Sequence, residues 1–200
     1  MSAVSPRTAR LAALIGVPVA LVASGAVVST ASYSAFSSTT ENPTSNWATG
    51  SVALTDDDGG TALFSATNLK PGSTDAKCIT VTSTGTLPST VKLYGTGATS
   101  TKDLAANTTL TVEQGTGGSF GSCTGFTPAT TGGTLYNASL AGFATTHSNY
   151  ANATGGWVTA GGTTAETRTY RISYKVSPDL ANSAQGATAS LGFTWEAQNN

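Results

Sequence analysis

Two stretches toward the end of the chain alternate apolar and polar residues with period 2, a pattern no helix can bury on one face. Between residues 167 and 176, Tyr170, Ile172, Tyr174 and Val176 share one face, with Arg168 and Arg171 assigned to the other register. Between residues 189 and 196, Ala189, Leu191, Phe193 and Trp195 alternate with Ser190, Gly192, Thr194 and Glu196. Aromatic and β-branched side chains in that period mark half-buried strands. Shorter strands are predicted over 47–54, 63–69, 78–83, 91–94, 110–113, 133–140 and 157–160. Asp58-Gly59-Gly60, Pro71-Gly72, Thr131-Gly132-Gly133 and Gly161-Gly162 fall between them as turns. Gly85 is expected to supply a positive φ where the chain reverses after Thr84. A short helical turn is expected around 101–106, and no longer helix is predicted beyond residue 34. Many short strands joined by glycine-rich turns predict an all-β fold, a sandwich or barrel.

The first 34 residues read as an export signal. Arg7 and Arg10 precede residues 11–28, which are apolar or small throughout. A basic start, an apolar run and a small-residue exit form the secretory pattern. Ser32 and Ser34 put small side chains at the −3 and −1 positions of a cut between Ser34 and Ala35, the bond expected for signal peptidase. Left uncleaved, the same run would be the chain's only membrane attachment. The expected mature domain is 35–200, carrying seven basic and ten acidic residues once Arg7 and Arg10 are removed. A chain of that length buries one core.

In an exported chain two cysteines, Cys78 and Cys123, are the number for one disulfide. Closing the loop between them is worth ~4 kcal/mol on the chain-entropy model. Charged residues make up only 10% of the chain and the formal net charge is −1, so no nucleic-acid partner is expected. His147 is the one imidazole, which leaves no His-Glu-x-x-His zinc motif and no serine–histidine elbow. Asp56-Asp57-Asp58-Gly59 lacks the alternate spacing of a calcium loop and reads as a turn of solvated acids. No catalytic residue, cofactor or metal site is therefore expected. Asn107, Asn137 and Asn152 each open an Asn-x-Ser/Thr triplet, which Thr-rich chains also produce by chance.

The order of the segments resembles the TasA/camelysin family of exported bacterial matrix and surface proteins. Ser34-Ala35-Phe36-Ser37 follows the apolar run. Thr49-Gly50-Ser51-Val52-Ala53-Leu54 is similar to the family's first strand, and Thr67-Asn68-Leu69-Lys70-Pro71-Gly72 to its Asn-Leu-Lys-Pro-Gly signature. Ser83-Thr84-Gly85-Thr86-Leu87 looks like its central turn. Ala184-Gln185-Gly186 with Leu191-Gly192-Phe193-Thr194-Trp195-Glu196-Ala197 resembles its closing strand. Residues 95–165 are the least similar.

The resemblance implies a jelly-roll-like antiparallel sandwich, secreted into the extracellular matrix or held at the cell surface. It implies self-association into biofilm fibres, alone or with related matrix subunits, by donation of an N-terminal strand. That assembly strand would be Ala35, Phe36, Ser37, Ser38, Thr39 and Thr40, within the donor segment or tail 35–46. Glu41 is the segment's one charge, and Pro43 would interrupt a continuous strand. The resemblance also carries a metalloprotease label, which a lone His147 does not support. A third reading is a non-catalytic adhesin or ligand-binding sandwich, with Tyr150 and Trp157 as contacts.

Overall fold

The computed structural model describes residues 37–39, 50–66 and 68–200. The chain divides into Met1–Ala35, which lies outside the described residues, and Phe36–Asn200, which holds the fold that follows. Its strands are β1 (Ser37–Thr39), β2 (Leu54–Asp56), β3 (Thr74–Ser83), β4 (Ser89–Ser100), β5 (Thr108–Thr116), β6 (Thr127–Pro128), β7 (Thr134–Ser139), β8 (Thr154–Thr159), β9 (Glu166–Val176) and β10 (Ala189–Asn199). Among the described residues one α-helix, α1 (Leu140–Thr146), follows β7, and a 3-10 turn, Tyr150–Asn152, leads from it to β8. Among the described residues no helix is long and apolar enough to cross a membrane.

The strands form two antiparallel sheets, β1-β10-β4-β8 and β2-β3-β9-β5-β6, with β7 also on β5. Apart from the short β2 and β6, the chain switches sheet at nearly every connection, and its last strand lies between its first and its fourth. This is the order of a jelly roll. Burial alternates along β3, β4, β5 and β9, as period 2 requires of a sheet with one face inward. Ile79, Val81, Leu110, Val112, Tyr170 and Ile172 come from one sheet; Val91, Leu93, Trp157, Trp195 and Ala197 come from the other. Between the layers Tyr170 meets Trp195, ring centres 5.3 Å apart.

Several sequence-based expectations need correction. The stretch 63–69 forms no strand among its described residues: Leu63 and Phe64 turn onto the core, Phe64 meeting Tyr174 edge-on at 5.4 Å. Asn68 has a φ of 55°, which ends any extended run, and Leu69 is 37% exposed. Of 47–54 only the last residue enters a strand, and 47–49 lie outside the described residues. Beyond β7 the chain becomes helical, because the Ser139 hydroxyl accepts from Gly142 N at 3.1 Å and Phe143 is fully buried. Gly85 is buried without a positive φ; it is required because a Cβ there would lie 2.7 Å from Ser51 O. Arg168 shares the parity of Tyr170 and Ile172, so its backbone position faces inward while Arg171 faces outward.

Two stability predictions follow from this core. Trp195→Ala should destabilise the fold by ~3–5 kcal/mol, read from the urea midpoint. Burial holds the Tyr170 phenol well above its ordinary pKa of 10.0, against a smaller opposing pull from the Arg168 charge. Above about pH 10 the unfolded chain therefore releases that proton and the folded chain keeps it. Stability should be full below this pH and fall as pH rises further, with a shallower fall in Tyr170→Phe.

Candidate functional site

The sandwich ends in sheet edges, and the residues expected to carry function lie at or near them. β10 pairs with β4 along its whole length, from Ala189 to Asn199. On its other side it meets only β1, with Ser37 opposite Gln198, Ser38 opposite Ala197 and Thr39 opposite Glu196. No described strand lies against Ala189–Trp195 on that side. Three of the six expected assembly residues, Ser37, Ser38 and Thr39, are thus strand residues docked through the main chain. Ala35, Phe36 and Thr40, together with the Ser34–Ala35 cleavage bond, lie outside the described residues.

Cys78 and Cys123 are joined in a disulfide, with Cα atoms 5.1 Å apart. Cys78 stands on the face of β3 opposite the core residues Ile79 and Val81. Its burial comes from the loop between β5 and β6, which folds back over the outer face of the sheet. Gly121 N donates to Cys78 O at 2.9 Å, and Phe126 lies under the Arg171 guanidinium at 4.9 Å. Arg171 is in turn paired with Glu113 at 2.6 Å. A Cβ on Gly117 would come within 2.2 Å of Gly125 O, so this roof closes only with glycine there.

The acidic run 56–58 is built into the same roof. One Asp57 carboxylate oxygen accepts from Thr80 N and the other from Phe120 N, each at 2.8 Å. Asp56 accepts from Asp58 N, and Asp58 from Gly60 N. Asp57 therefore clamps the loop before β3 to the disulfide loop, a long-range contact that local spacing did not reveal. No group of three or more His, Cys, Asp or Glu side chains gathers among the described residues.

The remaining marked residues have local partners. The Nδ1–H of His147 donates to Asn152 O at 2.7 Å, and its ring meets Tyr136 and Phe143. The Tyr150 hydroxyl donates to Thr90 O at 2.9 Å, with Lys92 over its ring. Burial, and then the Glu196 charge, hold that phenol above its ordinary pKa. Trp157 belongs to β8 rather than a loop and is 6% exposed, which corrects its reading as a surface contact. Among the triplet asparagines, Asn152 accepts through Oδ1 from Asn149 N, the cap of the turn 150–152; Asn107 donates to Asp103 O, and Asn137 is exposed on β7.

No family model matches the chain, and no curated protein matches it.

Replacing both cysteines by serine should lower stability by ~4 kcal/mol, less any native-state strain, in denaturant titrations. The unreduced protein should contain no free thiol by mass. Asp57→Ala should cost about 1 kcal/mol, since its two charge-assisted bonds are solvent-exposed, and should raise amide exchange at Thr80 and Phe120.

Proposed function

We propose that the mature chain is a secreted structural subunit of an extracellular matrix fibre or surface layer. Subunits join when the N-terminal segment of one is lent to a sheet edge of the next. The observation that carries this reading is β1: the start of the segment already binds a sheet edge by main-chain pairing, over three residues only. So short an edge strand is readily exchanged, because few ladder bonds hold it. Addition of a strand to an exposed edge is a general mode of recognition in which backbone bonds supply affinity. A head-to-tail contact whose rotation does not close into a ring generates a filament. The export pattern of residues 1–34 and the disulfide both suit an oxidising compartment outside the cell.

The test removes residues 35–46 behind a working export signal. The expected product is a folded, strand-rich monomer by circular dichroism and light scattering, with no filaments by electron microscopy. Phe36→Asp should weaken assembly in the same direction by placing a charge where an apolar plug is needed. Filaments of normal width from the truncated chain would assign assembly to another surface.

A further inference from the structure

Arg168 is half-buried, and its Nε is one of three sealed side-chain polar atoms without a hydrogen-bond partner among the described residues. It occupies an inward-facing position on β9, in register with the fully buried Val81. Its guanidinium carbon lies 5.5 Å from the centre of the Trp157 ring, while its Nε is sealed from solvent with no acceptor. The only ion pair among the described residues is Arg171 with Glu113. The nearest acid in sequence, Glu166, is committed to the backbone N–H groups of Ala160 and Gly161. A sealed guanidinium N–H left without an acceptor is unfavourable unless a partner is supplied.

A second unanswered atom lies on the neighbouring strand. Gln114 of β5, in register with Tyr170, donates through Nε2 to Gly132 O at 2.9 Å. Its Oε1 is buried with no donor. One inner face thus holds a guanidinium N–H lacking an acceptor and an amide oxygen lacking a donor. A peptide bearing a carboxylate carries both missing groups, an anionic oxygen and main-chain N–H groups.

Trp157, which the guanidinium covers, belongs to β8, the terminal strand of its sheet. β8 pairs with β4 on one side; no described strand pairs with it on the other, where Thr154 Oγ1 donates to Leu135 O of β7 at 3.0 Å. Its residues Thr154-Gly155-Gly156-Trp157-Val158-Thr159 contain neither a charge nor a proline, and Val158 is 62% exposed. Edge strands that must remain unpaired usually carry such protection.

We propose that the β8 edge, with Arg168 and Gln114 behind it, receives residues 35–46 of a second copy, whose Glu41 carboxylate pairs with Arg168. This rests on the strand-donation reading above and names its acceptor. Charge complementarity selects the occupant, since Glu41 is the only charged residue in that segment. The segment is also competent to pair, because its residues Ser37–Thr39 already do so on β10. Donor and acceptor then lie at opposite ends of the β1-β10-β4-β8 sheet, the arrangement that propagates head to tail.

The experiment titrates a dye-labelled peptide of residues 35–46 into the monomeric mature chain and reads anisotropy. Saturable binding is expected, weakened at least about tenfold by Glu41→Gln in the peptide or Arg168→Gln in the protein. A Glu41→Arg peptide should regain binding to an Arg168→Glu protein. The peptide variant leaves the protein untouched, so misfolding cannot account for its loss. Binding that ignores Glu41 would overturn the inference, as would no binding. A scrambled peptide of the same composition binding equally well would overturn the chosen occupant. Filaments with charge-independent peptide binding would remove this acceptor and keep the fibre. Charge-dependent binding without filaments would keep the acceptor and remove the fibre.

Discussion

The Tyr170–Trp195 contact across the sandwich is the constraint on which the rest of the structure depends. Each ring comes from a long strand near the middle of its sheet, β9 and β10, and each is about 2% exposed. Burying two large aromatic side chains against each other requires both sheets to present their inner faces in one register. A one-residue slip in either strand would turn its ring to solvent. Val91, Leu93, Ile172 and Val112 fill the space around the pair. Phe143, brought in by α1, closes one end of the sandwich through contacts with Tyr136 and Phe193.

The outer face of the second sheet is organised on a different basis. A glycine-rich loop has little apolar surface to bury, so its position is set by point attachments. These are one covalent bond at Cys78, two backbone N–H groups held by Asp57, and the Phe126–Arg171–Glu113 stack. The attachments are mutually dependent: the disulfide brings the loop across the sheet, and Asp57 fixes where Phe120 lies. Residues that resemble a cation loop in sequence are therefore structural acceptors in the fold.

The long strands were legible because alternation survives in 167–176 and 189–196 whatever packs against them, and the cysteine pairing because two cysteines allow only one. What escaped the sequence was set by tertiary contact. Residues 63–69 alternate acceptably, yet Phe64 gains more by meeting Tyr174 than by pairing as a strand. α1 has only seven residues, too few for a periodic stripe, and its signal was the capping serine at position 139. Gly85 was recognised as special, but for backbone freedom rather than for close approach to Ser51. Arg168 was assigned to the outer register together with Arg171, whereas counting by two from Tyr170 places it inside. The disagreement between parity and chemistry at that residue was the sequence's one pointer to the β8 side of the molecule.

Edge energetics decide whether such a domain stays single. In the isolated chain, β1 contributes three residues of pairing to β10, and the backbone order it requires costs ~1–2 kcal/mol per residue. Moving the segment to a neighbour forfeits those few bonds and orders a longer stretch, so backbone pairing alone gains little. The exchange becomes favourable only if the acceptor supplies something the home edge lacks. On β10 the residue facing Thr39 is Glu196, already engaged by Tyr94 and Gln198, and it offers nothing to a second carboxylate nearby. Beside β8, Arg168 offers a half-buried guanidinium over the Trp157 ring, with no acidic partner among the described residues. The opposite signs of Glu41 on the donated segment and Arg168 beside β8 would give the proposed exchange a direction, and they would make it sensitive to ionic strength in a chain that is only 10% charged.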